Sequence, residues 1–396
     1  MTVKAGLPLL IVAACALPMP AAAQHWSRSW AVAPQAASPR DPLPDLTGKT
    51  LRQIVRISSG GTRIRLRLSN ELSTTALKIG SVHVALVDAG GRIVPGSDRA
   101  VTFGGVPAPI VPDRAPMVSD AVALAVTPLA HVAVSLYFPE GAADATIHGY
   151  AAATASIASG DQTGAATLTD ATPFKQRMVV DGIDVETARP GSTVVAYGDS
   201  ITDGVHATAD ADTRWPDDLA AALQKAGRAN VGVANLGIGG NRVLAEGAGN
   251  NALARFDRDV LATPGVSHVI VLEGVNDIGS ATAGKRPIPT AADLIAAYRQ
   301  MIARAHDRGV KVIFATILPY KGAGYWGAEA EVVRKQVNAW ILTNHEADGA
   351  VDFAKAVADP ADPDKFASAY DSGDALHPND AGFRAMVAAI DLKLLR

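Results

Sequence analysis

The feature that most constrains this chain is a rhythm that sets in at Ser192. Apolar runs "TVVAY", "NVGVANL", "VSHVIVLEG" and "VKVIFATILP" alternate with helix-like segments near 214–226, 252–262, 290–308, 328–347 and 379–394. A strand that is apolar on both faces must be covered on both, so such runs interleaved with amphipathic helices predict a parallel sheet between two helical layers. In open parallel sheets, ligands collect beyond the carboxyl ends of the strands. The polar residues that follow each apolar run are therefore where chemistry is expected.

The preceding region reads differently. From Trp26 to Thr187 short runs such as "LRQIVRIS", "TRIRLRLSN", "SVHVALVD" and "HVAVSLYF" are separated by Gly, Pro, Asp and Asn turns. Several short alternating strands predict an antiparallel β-sandwich. Arg63, Arg65 and Arg67 share one strand face, expected to be solvated. "TARPGS" (Thr187 to Ser192), with its Pro-Gly pair, is the natural linker. The chain has 396 residues, enough for two cores. The expected organisation is a leader over 1–23, a β-rich domain over 24–190 and an α/β domain over 191–396.

The leader follows from Lys4, the apolar run "LPLLIVAACAL" and the small residues Ala21 to Ala23. This is the layout of a secretory signal cut before Gln24, which predicts a secreted or periplasmic protein. "VAAC" (Val12 to Cys15) also resembles a lipoprotein processing site, so anchorage through Cys15 is the alternative. Cys15 is the sole cysteine, and ordinary processing would leave the mature chain without a disulfide. No later apolar run reaches the roughly 20 residues of a membrane span. A net charge of −3 and a pI near 6.3 give no basic surface, which argues against nucleic acid as a partner.

Three polar blocks stand at strand ends, where the sheet should present them, and a fourth stands near the C-terminus just ahead of a helix. "GDS" offers Ser200 after the first apolar run, and "NLGIGGN" brings Gly240 after the second. "EGVND" brings Asn276 after the third, and "DALHPND" places Asp374 three residues before His377. A serine hydroxyl is a poor nucleophile until an imidazole accepts its proton, and the imidazole needs a carboxylate to fix its tautomer. The N–H of Gly240 and the amide of Asn276 can then receive the oxyanion formed by attack on a carbonyl. Gly237 and Gly239 stand close enough to Gly240 to compete for that place.

In these blocks the sequence resembles the SGNH hydrolases, the GDSL esterase and lipase superfamily, with "GDSIT" where the family name has "GDSL". The resemblance runs from Val194 to the C-terminus. It implies a three-layer α/β/α, flavodoxin-like domain with Ser200 as nucleophile and His377 as general base and acid. Asp374 would orient His377, and Ser200, Gly240 and Asn276 would form the oxyanion hole. It implies no metal and no organic cofactor. The β-rich region resembles, more loosely, the accessory region of secreted bacterial members that are like carbohydrate acetylesterases.

Other readings fit less well. An α/β-hydrolase usually carries a G-x-S-x-G elbow, but Ile201 and Thr202 follow Ser200. The glycines of "NLGIGGN" lack the register of a dinucleotide fingerprint, and the nine histidines show no H-E-x-x-H. "ADADTRWPDD" reads as a loop and helix start. A carbohydrate-binding surface protein with a vestigial hydrolase domain is the alternative of another class. The expected substrate is a small-molecule or polysaccharide ester, foremost a short acyl ester such as O-acetyl on carbohydrate; lysophospholipids and aryl esters are the alternatives. Tyr320, Tyr325 and Trp326 in "LPYKGAGYWG" are candidates to flank a sugar.

Overall fold

A computed structural model describes residues 1–3, 25–38, 42–187 and 190–396. The predicted leader beyond residue 3, Cys15 included, and two residues of the linker lie outside the described residues. Five parallel strands form the second half, in the spatial order Val231–Gly237, Ser192–Gly198, Val266–Leu272, Lys311–Ala315 and Gly349–Val351. In chain order this is 2-1-3-4-5, the flavodoxin-like arrangement of a doubly wound sheet, whose crevice opens beside the first strand. Four of the strands coincide with the apolar runs. The fifth has only three residues, too few to leave a hydrophobic pattern.

The five expected helical segments are present at Trp215–Lys225, Ala252–Phe256 with a π-helical turn to Leu261, Ala291–His306, Ala328–Thr343 and Asp380–Ala388. Three helices fall outside the expected segments: the short Ser200–Asp203 and Phe353–Val357, and the longer Val275–Ala283. Val275–Ala283 begins inside "EGVND", which reads as a turn, and follows Gly274 at φ 115°. Its Gly279 weakens the helical signal, because glycine costs about 1 kcal/mol in a helix interior. Packing demands that glycine: a Cβ there would lie 1.9 Å from Tyr325 Cδ2.

The β-rich half contains two main antiparallel sheets. One orders His25–Ala31, Val180–Thr187, Arg63–Ser69 and Pro116–Val118; the other has Lys49–Arg56, His131–Phe138 and Ser81–Val87 at its centre. Leu66 and Ile183 from the first sheet and Leu51 and Val134 from the second join one buried cluster, as a sandwich requires. Arg63, Arg65 and Arg67 are not a free solvated face. They pair with Glu186, Asp184 and Asp181 of the neighbouring strand, and Arg65 also lies 4.5 Å over the Trp26 ring. Opposite charges across a strand pair are stabilising, but the partners stand more than 110 positions away in the chain.

The two halves are stitched along the outer edge of the parallel sheet. Ser58 Oγ accepts Val233 N–H at 2.8 Å, and Arg28 N–H donates to Thr193 Oγ1 at 3.0 Å. A Cβ on Gly232 would come 2.1 Å from the Arg28 carbonyl, so only glycine lets these backbones meet. Ala31 and Ala33 are buried in the core of the α/β half. Among the described residues, no helix is long and apolar enough to cross a membrane.

Candidate active site

The strand Ser192–Gly198 delivers Ser200 to the carboxyl edge of the sheet. Asp199 caps the short helix Ser200–Asp203 by accepting Ile201 N–H at 2.9 Å. Gly198 is obligatory, because a Cβ would lie 2.2 Å from Thr202 Oγ1 and 2.6 Å from the Leu272 carbonyl. His377 and Asp374 arrive on the loop before helix Asp380–Ala388, which Asn379 caps. His377 Nε2 lies 2.8 Å from Ser200 Oγ, and its Nδ1 lies 2.6 Å from Asp374 Oδ2. Asp374 is itself fixed, since Oδ1 accepts the N–H groups of Leu376 at 2.9 Å and His377 at 2.8 Å.

These contacts set the charges. Burial pushes the Asp374 carboxyl up, but its bonds from the His377 side chain and from the two backbone N–H groups prevail and bring it down to about 2. Burial lowers His377 below the ordinary imidazole value, opposed by Asp374 and assisted by His206. At neutral pH the imidazole is therefore an acceptor beside an ionised carboxylate. Burial and the charge of Asp277 push Asp199 up to about 7, although Ile201 N–H opposes them.

His206 is a member of this site that the sequence did not announce. Its Nε2 lies 3.3 Å from Asp374 Oδ2 and its ring centre 5.4 Å from that of His377. It sits at φ +69°, a conformation non-glycine residues seldom adopt. The ligand atoms of His206, Asp374 and His377 lie within 4.8 Å of one another. A cation held by all three would occupy one nitrogen of His377 and so displace its contact with either Ser200 or Asp374.

The glycine block resolves its own register. Gly237 N–H donates to Asn235 Oδ1 and Gly239 N–H to Asp203 Oδ2, each at 3.0 Å. Among the described hydrogen bonds, Gly240 N–H has no acceptor; Gly240 sits at φ +76°. The loop runs beside Ser200, since a Cβ on Gly239 would lie 4.0 Å from Ser200 Cβ. Asn276 Nδ2 donates to Asn241 O at 3.0 Å, and its Oδ1 accepts Tyr325 OH at 3.3 Å. With one N–H engaged, the second amide hydrogen remains for a ligand.

Three buried groups that sequence reasoning missed hold this loop. Asp277 accepts the N–H groups of Val243 at 2.8 Å and Leu244 at 2.9 Å. Arg255 donates to Gly198 O, Leu236 O and Asn241 Oδ1, tying two strand ends to the glycine block. Asp203, which receives Gly239, pairs with His148 Nε2 at 2.9 Å, and both side chains are 2% exposed. His148 belongs to the β-rich half and its Nδ1 is fixed by Ala33 O at 2.9 Å. A lone Arg in a helical segment or a lone His in a strand carries no sequence signal for such a role.

The aromatic candidates divide. Tyr320 is 0% exposed and packs in the core beside Tyr325, so it presents no ring to a sugar; the apolar strand end draws it inward. Tyr325 and Trp326 are half-buried, and the Tyr325 hydroxyl touches Asn276.

Residues 196–385 match the GDSL-like Lipase/Acylhydrolase family. No curated protein matches the chain. Among solved structures, it is similar to a GDSL-like lipase from Bacteroides thetaiotaomicron VPI-5482, at 21% identity over 52% of this chain and 88% of that one, with a TM-score of 0.39. It is also similar to a carbohydrate acetylesterase family member from Sinorhizobium meliloti, at 18% identity over 52% of this chain and 99% of that one, with a TM-score of 0.40.

Proposed function

We propose that the GDSL-like lipase/acylhydrolase domain of this chain is a serine esterase that works through an acyl-enzyme. The observation that carries this reading is the hydrogen-bond chain from Ser200 Oγ through His377 to Asp374. His377 Nε2 takes the Ser200 proton as Oγ attacks the ester carbonyl, and Asp374 stabilises the imidazolium that forms. The oxyanion lies between the N–H groups of Ser200 and Gly240 and the amide of Asn276. His377 then gives its proton to the departing alcohol and draws one from water, which releases the acyl group.

The substrate we assign is a short acyl ester, foremost O-acetyl on carbohydrate. Tyr325, whose hydroxyl reaches Asn276, and the adjacent half-buried Trp326 supply ring surface for a sugar. We place catalysis in 191–396, with 24–190 as its β-rich companion, and the leader pattern over 1–23 supports export.

Ser200→Ala should cut turnover of p-nitrophenyl acetate by about 10,000-fold or more with the fold intact by circular dichroism. Undiminished turnover would remove Ser200 from the mechanism. Asn276→Ala should lower kcat by about a hundredfold with a smaller change in KM; a pure KM effect would contradict an oxyanion role. Rates on acetylated oligosaccharide, p-nitrophenyl esters of increasing chain length and lysophospholipid, measured on one sample, test the substrate assignment. Faster release from lysophospholipid than from the acetylated sugar would overturn it.

A further inference from the structure

A cavity of about 420 Å³ lies between the two halves, and Ser200, Asp374 and His377 are not in its lining. Its size falls among small-molecule sites, which run from about 300 to 1,000 Å³. Trp30, Arg56 and the loop Ala151–Thr154 of the β-rich half line it, together with Thr208, Asp210, Asp212, Thr213 and Arg214 of the α/β half. Arg177 reaches it from the β-rich half.

Arg177 is the unusual group. It is 4% exposed, and Nη2 donates to Ile54 O at 2.8 Å. Its Nη1 is buried with no hydrogen-bond partner among the described residues. Burial lowers the guanidinium to about 10, the nearby Arg214 adds to that effect, and the charges of Asp210 and Asp212 oppose it without forming an ion pair with it. The carboxylates around it are committed elsewhere. Asp210 accepts from Thr154 N–H at 2.6 Å and Oγ1 at 2.7 Å, and Asp212 lies 2.7 Å from His131 Nε2. Arg214 is held by Asp217 at 2.6 and 3.1 Å. A buried charge without an ion partner is costly, and an arriving anion relieves that cost.

We propose that this cavity is a second ligand site that binds the carboxylate of a uronic acid residue through Arg177. One negative charge suits it better than two. Arg56, Arg177 and Arg214 in the lining are matched in number by Asp88, Asp210 and Asp212, so a carboxylate adds one negative charge to a balanced lining where a phosphate dianion adds two. A planar carboxylate also fits the fork of a guanidinium. Ser156 and Trp30 also line the cavity, as do Thr154 and Thr208, whose hydroxyls donate to Asp210 and Asp380 and keep their lone pairs for a sugar hydroxyl. Thr208 is two residues beyond His206, so a saccharide held here rests against the loop that reaches His377. The site does not depend on the esterase reading, and its test is a binding measurement that leaves the role of Ser200 aside.

Calorimetric titration of the full chain with trigalacturonate, neutral galactotriose and sulfate separates the possibilities. Trigalacturonate should bind, with galactotriose and sulfate at least tenfold weaker. Arg177→Gln should weaken trigalacturonate by about tenfold or more, the size expected for one charge-assisted pair. Ala153→Trp, which narrows the cavity and leaves Arg177 in place, should weaken it similarly, with thermal melting confirming the fold of each variant. Absence of trigalacturonate binding, equal binding of the neutral sugar or of sulfate, or full affinity in a folded variant would each overturn the proposal. If Arg177→Gln does not fold, Ala153→Trp decides.

Discussion

At Asp374 two imidazoles compete for one oxygen. His377 Nδ1 lies 2.6 Å from Oδ2 and His206 Nε2 lies 3.3 Å from the same atom. A positive charge on His206 disfavours a second on His377, and burial acts in the same direction. The proposed base must be neutral to accept the Ser200 proton, so kcat/KM should rise with pH through an inflection below the ordinary imidazole value of about 6.5. His206→Gln removes the like charge, which raises the His377 pKa and should shift that inflection upward. A pH profile of p-nitrophenyl acetate hydrolysis checks it, and an inflection that stays put or falls would show that His206 does not reach His377 electrostatically. Of these residues, Ser200, Asp374 and His377 were legible because their spacing is local or falls at strand ends. His206 was not, because a histidine six positions after the serine has no meaning until the loop folds back onto Asp374.

At the scale of elements, the glycine block shows how a register is chosen. Three glycines within four positions offered three N–H donors, and pairing with Asn235 and Asp203 removes two of them. The other oxygen of Asp203 is fixed by His148. His148→Ala should therefore lower kcat about tenfold with a smaller effect on KM, because the loop carrying Gly240 loses its anchor while Ser200 and His377 remain. His148→Gln, which can still donate, should recover part of the rate. Unchanged kcat in a folded His148→Ala protein would mean that Gly239 holds its place without the pair. Stability should fall as well, by about 1–3 kcal/mol, since a buried acceptor is left unmatched; urea denaturation measures it. The helix Val275–Ala283 teaches the same lesson from the other side. Gly279 disguised it in the sequence, and the Tyr325 ring explains why that glycine is there.

At the scale of the molecule, the β-rich half covers the edge strand of the parallel sheet. Val231–Gly237 is that edge, and its backbone is met by Ser58 Oγ and by the Arg28 carbonyl. An uncovered edge of this kind pairs with other chains. Residues 191–396 expressed alone should accordingly form aggregates on size exclusion and lack esterase activity, whereas a soluble, fully active fragment would show that the β-rich half is dispensable. The sequence by itself determined the two architectures and the four chemical blocks, because apolar periodicity, turn residues and motifs are local properties of the chain. Tertiary structure alone decided which glycine N–H is left free, that Tyr320 is core, that Arg63, Arg65 and Arg67 are paired, and that His148 reaches across to Asp203. Asp203 for Gly239, the acidic partners of the three arginines and the reach of His148 all stand far along the chain, and no pattern within one segment encodes which distant group will stand within hydrogen-bond reach.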